Sequence, residues 1–161
     1  MKVIFLDIDG VLNNIYSKTR APSGVIGIDD DKVKRLRKIV EATGAKLVLT
    51  STWKKDTGED RDYMLRKLGR EKLHIFMYTV DEGRNRWEGI RRWMDRYGNN
   101  LEAYVILDDE LFPDYYSDPA NKILRPEVKD HLVRTELFDK EGGLGESHVE
   151  EAVRILNSGK G

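Results

Sequence analysis

Short runs of apolar residues alternate along this chain with segments of helical periodicity. The first run, residues 3–8, is continuously apolar up to the acid at its end, which is typical of a strand buried on both faces of a parallel sheet. Later runs lie at Lys46–Leu49, Leu73–Met77 and Ala103–Leu107. This alternation predicts a three-layer, Rossmann-like α/β fold with helices on both faces of a central, mainly parallel sheet. Ligands of such sheets bind at the carboxyl ends of the strands.

The spacing of apolar residues predicts helices in four segments between and after these runs. Residues 33–40 form the first, and Gly44 is its expected C-cap. Residues 87–97 form the second, closed by Gly98, and Asp62–Leu68 predicts a shorter helix. Near the end of the chain, Ser147 and Glu150 have the spacing of a capping box that would begin a last helix.

Length and charge restrict the classes of function that the chain can have. A chain of 161 residues has room for one domain with a real core, so we expect a single domain over residues 1–161. The formal net charge of -1 excludes the global basic field that is common in nucleic-acid binders, although a local patch is still allowed. No apolar stretch approaches the ~18 residues of a membrane span, and cysteine is absent. We therefore expect a cytoplasmic protein with no membrane partner.

The strongest motif follows the first run and reads Asp7-Ile8-Asp9-Gly10-Val11-Leu12. Alternation about Ile8 lets both carboxylates lean toward the end of the strand while Ile8 packs inward. Gly10 allows a tight turn that brings backbone close to a ligand.

This motif resembles motif one of the haloacid-dehalogenase (HAD) phosphatase superfamily. The resemblance implies that Asp7 is the nucleophile that becomes phosphorylated and that Asp9 is the general acid and base. It also implies that both hold Mg²⁺, Asp9 through its backbone carbonyl. The chemistry agrees, because a carboxylate attacking phosphorus divides hydrolysis into two displacements, and a hard cation with oxygen ligands suits a carboxylate and phosphate site.

Two further motifs of the family have matches along the chain, each with an alternative. Motif two places a Ser or Thr hydroxyl on the phosphoryl oxygens, and Thr50 fits best by position, with Ser51 one residue later. Motif three supplies a cation before the fourth strand, and Arg86 fits the spacing, with Arg84 as its rival. Most of the family has Lys there, but Arg keeps the charge and adds a fork suited to phosphate oxygens.

The fourth strand ends in Asp108-Asp109, which resembles motif four. Adjacent carboxylates repel each other unless a cation lies between them. The resemblance implies that Asp108 is a direct Mg²⁺ ligand. It implies that Asp109 either binds the metal through water or contacts the metal ligands without binding the metal itself.

The substrate is implied by what the chain lacks. The family inserts cap domains after motif one or between motifs two and three, and here the first point offers only residues 13–28, with one helix and one strand at the second. A capless site in this family tends to accept a terminal phosphate on something large, such as a nucleic-acid end or a phosphoprotein. Lys18 and Arg20 are candidates to contact it, and the irregular residues 111–130 predict a functional loop or a missed short element.

The short cues around these motifs, including Asn13 and the Trp53 that follows Thr52, resemble small HAD domains of RNA-repair, phage and bacterial proteins. Three alternatives stay open: a receiver-like signalling module, a catalytically silent HAD-like binding module, and a phosphatase of small molecules or nucleotides. Trp87 and Trp93 lie near arginines, but core packing accounts for Trp87 better than base stacking does. The histidines match no metal spacing and are given no role.

Overall fold

The protein is described by a computed structural model over residues 1–55, 58–80, 85–110, 112 and 125–158. Its centre is a sheet of five parallel strands in the order β3-β2-β1-β4-β5. The elements in chain order are β1 (Lys2–Leu6), α1 (Asp30–Thr43), β2 (Lys46–Leu49), α2 (Glu59–Arg70), β3 (Ile75–Tyr78), α3 (Arg86–Tyr97), β4 (Ala103–Asp108), α4 (Pro126–Lys129), β5 (Leu132–Arg134) and α5 (Glu146–Asn157).

The central strand β1 has apolar side chains on both faces, which separates the core into two layers. Ile4 and Leu6 pack in the layer beneath α1, α2 and α5, whereas Val3 and Phe5 pack in the layer beneath α3 and α4. All four side chains are fully buried. The absence of polar alternation in this run is therefore explained by burial on both sides, and the predicted three-layer α/β fold is confirmed.

Helices α1 and α3 end where the sequence predicts. Gly44 has a φ of 72°, and its N–H donates to the Val40 carbonyl, so a left-handed residue closes α1. The Gly98 N–H donates to the Met94 carbonyl at the end of α3. Trp87 is buried in the second core layer, as the packing interpretation predicts.

The start of the last helix was predicted incorrectly. The N-cap is Gly145, not Ser147, and α5 begins at Glu146. The reason lies in His148, whose Nδ1 accepts the Gly145 N–H across 2.9 Å and so satisfies the backbone group that a capping box would otherwise bind.

Two elements were not predicted from the sequence, namely α4 and β5. Strand β5 has only three residues and pairs with the end of β4 through Leu132 to Arg134. Helix α4 is a missed short element within the irregular residues 111–130, of which 111 and 113–124 lie outside the described residues. Helix α2 is longer than the predicted Asp62–Leu68, and β3 begins at Ile75 instead of Leu73.

The first cap insertion point holds a small ordered excursion. An antiparallel bridge joins Arg20 to Ile26, and the Ser17 and Thr19 hydroxyls donate to the Asp29 carboxylate just before α1. No cap domain is present in the described part of the chain, as predicted. No helix among the described residues is long and apolar enough to cross a membrane.

Candidate active site

Three carboxylates meet where β1 and β4 end side by side. Asp7 directly follows β1, and its N–H donates to the Leu107 carbonyl of β4 across 3.0 Å, which continues the pairing of the two strands. Asp108 ends β4, and Asp109 follows it. One carboxylate oxygen from each aspartate lies within 4.8 Å of the others. We call these residues the aspartate cluster.

Burial makes negative charge on the aspartate cluster costly. Asp7 is 4% exposed and Asp108 is fully buried. Burial raises the pKa of Asp7 well above its usual value, the charge of Asp108 raises it further, and the charge of Arg86 opposes both. Burial also raises the pKa of Asp109, again with a contribution from Asp108. The arrangement therefore favours a proton or a cation among the three carboxylates.

Arg86 is the cation that the fold brings to the aspartate cluster. It is the first residue of α3, and its Nη1 lies 3.2 Å from Asp7 Oδ2 and 2.8 Å from Asp108 Oδ2. Burial lowers the pKa of the guanidinium, but the charges of Asp7 and Asp108 outweigh this effect and raise it, so Arg86 stays charged. Arg84, the rival for this position, lies outside the described residues.

The Asp9 side chain is held apart from the aspartate cluster by two donors. Asn13 Nδ2 donates to Asp9 Oδ1 across 2.9 Å, and Trp53 Nε1 donates to Asp9 Oδ2 across 3.2 Å. Asn13 is itself fixed, because its Nδ2 also donates to the Gly27 carbonyl and its Oδ1 accepts the Gly10 N–H. Asp9 thus has one defined orientation. The sequence marks Asn13 and Trp53 only as part of the family resemblance, and it does not predict that their side chains contact Asp9.

Gly10 lies directly against the aspartate cluster. Its φ is +85°, and a Cβ at this position would be 2.7 Å from Asp109 Cγ. Only glycine combines that φ with so close an approach. The Gly10 carbonyl accepts a hydrogen bond from the Thr135 hydroxyl, which comes from the loop after β5. Thr135 was missed because β5 was not predicted.

The two candidate hydroxyls at the end of β2 have different partners. Thr50 donates to the Leu6 carbonyl through both its N–H, at 2.9 Å, and its hydroxyl, at 3.0 Å. The Ser51 hydroxyl accepts the Trp53 N–H across 3.2 Å, and its proton has no acceptor within the described ranges. Both residues are almost fully buried beside the strand that leads to Asp7.

Lys18 and Arg20 are not brought to the aspartate cluster by any described contact. Both are exposed on the excursion after β1. Arg20 Nη1 donates to the carbonyls of Ser17 and Thr19, so this side chain stabilises its own loop. Their role toward substrate stays a prediction.

Comparison with known families agrees with this geometry. Residues 3–149 match the family of the HAD domain in Swiss Army Knife RNA repair proteins. The chain belongs to this family. No curated protein and no solved structure is significantly similar to the chain. Membership of the HAD family is inconsistent with the receiver-like alternative.

In this HAD domain the aspartate cluster is consistent with the family's active site. Its donors are all carboxylate oxygens, two of the three residues are buried, and their mutual repulsion would be relieved by a divalent ion. Asp7, Asp108 and Asp109 could therefore hold a metal, and the chemistry of the donor set fits Mg²⁺.

Proposed function

We propose that the protein is a magnesium-dependent phosphomonoester hydrolase that works through a phosphoaspartyl intermediate on Asp7. The observation that carries the proposal is the placement of Asp7 beside both Arg86 Nη1, at 3.2 Å, and the other carboxylates of the aspartate cluster. A buried carboxylate with a fixed cation beside it matches the needs of a nucleophile that must receive an anionic phosphoryl group.

In the first proposed step, an Asp7 oxygen attacks phosphorus and the bond from phosphorus to the ester oxygen breaks. Asp9 protonates the departing oxygen, so the alcohol leaves neutral. In the second step, Asp9 removes a proton from water as the water oxygen attacks phosphorus, and the bond to Asp7 breaks to release inorganic phosphate. The hydrogen bonds from Asn13 and Trp53 leave Asp9 outside the aspartate cluster, which suits a proton-transfer role.

Mg²⁺ bound by Asp7, Asp108 and Asp109, together with the Asp9 backbone carbonyl, would neutralise charge on the phosphoryl oxygens. Arg86 is the second positive charge, and it aligns Asp7 with Asp108. Thr50 or Ser51, with the neighbouring backbone, would hold the phosphoryl oxygens from the β2 side, and Gly10 allows backbone to approach them.

We propose a polynucleotide end as the substrate, and the RNA-repair context of the matched family supports this choice. The absence of a cap over the described residues supports it as well, because a site without a cover can admit a large molecule. We further propose that residues 1–161 form one domain, since the family match covers 3–149 and α5 packs on α1 and β4.

A substrate panel tests the proposal. The panel holds an aryl phosphate, mononucleotides, 3′- and 5′-phosphorylated oligonucleotides, sugar phosphates and phosphopeptides, each with Mg²⁺ and with a chelator. Turnover that needs Mg²⁺ and is lost in Asp7→Asn supports the hydrolase. No turnover of any substrate supports the catalytically silent module, and preference for one mononucleotide or sugar phosphate supports a small-molecule phosphatase.

A further inference from the structure

A groove of about 280 Å³ lies between the end of β3 and one side of α3. It is distinct from the aspartate cluster. Tyr78 and Val80 line it from the strand side, and five residues of α3 line it from the helix side: Gly89, Arg92, Trp93, Arg96 and Tyr97. We call it the α3 groove.

The helix side of the α3 groove is basic. Its residues recur every three or four positions, so they lie on one face of α3. Arg92 and Arg96 are exposed, and neither has a carboxylate partner among the residues that the structure describes. Neither acidic residue of the helix, Glu88 or Asp95, lines the groove. This charge is complementary to a polyanion.

The rest of the α3 groove is aromatic and open. Trp93 is buried in its wall, and its Nε1 is without a hydrogen-bond partner across the described ranges. Val80 is 64% exposed at the strand side. Gly89 lies one helical turn before Trp93 and lines the same groove, although glycine is a poor helix former. Trp93 is too buried to offer a face to a base, but Tyr97, which also lines the groove, is 40% exposed. An exposed aromatic ring beside arginines is a surface on which unpaired bases stack.

The α3 groove leads away from the aspartate cluster. Arg86, whose Nη1 contacts Asp7, begins the same helix. At a rise of about 1.5 Å per residue, Gly89 lies about 5 Å and Arg96 about 15 Å along the axis from Arg86. The strand side is formed by the end of β3, and the ends of parallel strands share one edge of the sheet.

We propose that the α3 groove binds the unpaired nucleotides next to the terminal phosphate of a single-stranded polynucleotide. Arg92 and Arg96 would contact backbone phosphates, and a base would stack against the exposed ring of Tyr97. This inference rests on the proposed function in its choice of a polynucleotide substrate. It adds the place where the strand lies and the requirement that the strand be unpaired.

The test is the affinity of a fluorescent eight-nucleotide single-stranded RNA without a terminal phosphate, measured by anisotropy at several salt concentrations. The test variant is Arg92→Gln/Arg96→Gln. Each lost phosphate contact on a single strand lowers the salt slope by about 0.7 and the affinity at 0.1 M salt by about fivefold, so the double variant should bind roughly 25-fold more weakly with a slope shallower by about 1.4.

Arg66→Gln/Arg91→Gln is the matched control, because it makes the same change in charge on exposed arginines that do not line the α3 groove. It should bind RNA as the wild type does. The proposal is overturned if the test variant loses no more affinity than this control, if the wild type does not bind the RNA, or if a duplex of the same sequence binds equally well.

The anisotropy measurement requires no turnover, so failure of the hydrolase proposal can be distinguished from failure of the groove. Absence of magnesium-dependent aryl-phosphate turnover in the wild type contradicts the proposed function alone. Loss of RNA affinity confined to Arg92→Gln/Arg96→Gln supports the groove whatever the turnover, provided that thermal melting shows the variant to be folded.

Discussion

Trp53 Nε1 donates to Asp9 Oδ2 across 3.2 Å, so a residue after β2 fixes a carboxylate after β1. The indole is itself fixed, because it is 4% exposed and stacks on Tyr63 with the ring centroids 6.4 Å apart. A proton donor that must serve two steps in turn benefits from one defined orientation. The Trp53 indole therefore orients Asp9.

Replacing Trp53 with Phe should lower kcat for an aryl phosphate by about 10- to 100-fold, the usual cost of losing a group that orients a site residue. KM should change little, because the Asp9 side chain is proposed to transfer protons and not to bind the ground state. Steady-state kinetics with Mg²⁺ measure both constants.

Tyr63→Phe is the control for this prediction. It deletes the hydroxyl that accepts the Ile28 N–H but leaves Asp9 and its donors in place. Near wild-type kcat is expected for Tyr63→Phe, and an equal loss of kcat in both variants would show that the Trp53 effect is only one of packing.

Substitution of Thr50 and of Ser51 at the end of β2 should have different effects on stability and on phosphate affinity. Thr50→Val removes the hydrogen bond from the Thr50 hydroxyl to the Leu6 carbonyl, but this carbonyl still accepts the N–H of residue 50. We therefore expect the free energy of unfolding to fall by about 1 kcal/mol and the affinity for phosphate to change little. Ser51→Ala removes a hydroxyl whose proton is not used within the described residues, so we expect competitive inhibition by inorganic phosphate to weaken about tenfold or more. The opposite pattern would assign the phosphate contact to Thr50.

The sequence predicted the part of the site that depends on strand ends. Buried parallel strands have continuous apolar runs, so the positions of Asp7, Thr50 and Asp108 followed from the pattern together with the family motifs. For the cation near the start of α3 the family spacing favoured Arg86 and left Arg84 as an alternative, and Arg86 is found beside Asp7. In each case the residue is close in sequence to the element that positions it.

Contacts between distant segments could not be predicted in this way. Asn13 contacts Asp9 from the loop after β1 and Trp53 contacts it from the 3-10 helix Thr52–Lys55 after β2, and no local period encodes that meeting. Strand β5 has too few residues to show a period, so Thr135 and its bond to Gly10 were missed with it. His148 takes the place of the Glu or Gln of a capping box, because its ring nitrogen can accept the N-cap N–H as a carboxylate or amide oxygen does, and residue type alone does not reveal this.

His148 should make the stability of α5 depend on pH. Burial lowers the pKa of this half-buried ring, so the folded protein binds the proton less tightly than the unfolded chain does. The stabilising contribution is present above the usual His pKa of about 6.5 and is lost as pH falls through the lowered value, where protonation also removes the acceptor of the Gly145 N–H. Melting temperatures from pH 7.5 to 5 should fall less in His148→Gln than in the wild type. His74→Gln, on an exposed ring, should follow the wild type.

The aspartate cluster should cost stability when no metal is bound. Because the folded pKa of Asp7 is raised, the folded state holds that proton more tightly than the unfolded chain does. The associated stability is complete below the usual Asp pKa of about 3.9 and is lost as pH rises through the raised value. At neutral pH and in a chelator, Asp7→Asn should therefore stabilise the fold by about 1 kcal/mol or more, or roughly 2–4 °C in melting temperature. Arg86 keeps Asp108 as a partner in this variant, so no buried charge is left alone.

With Mg²⁺ bound, the wild type should become more stable than Asp7→Asn. Binding to the folded state alone raises the melting temperature of the wild type with concentration, whereas Asp7→Asn lacks one charged ligand and should gain less. Asp95→Asn, an exposed aspartate on α3, is the control and should match the wild type with and without Mg²⁺. Scanning calorimetry at pH 5 and pH 8 measures all of these shifts. If Asp7→Asn is no more stable than the wild type in chelator at pH 8, then the neighbouring carboxylates and burial do not destabilise the Asp7 carboxylate. If Mg²⁺ raises both melting temperatures equally, then Asp7 is not a ligand of the metal.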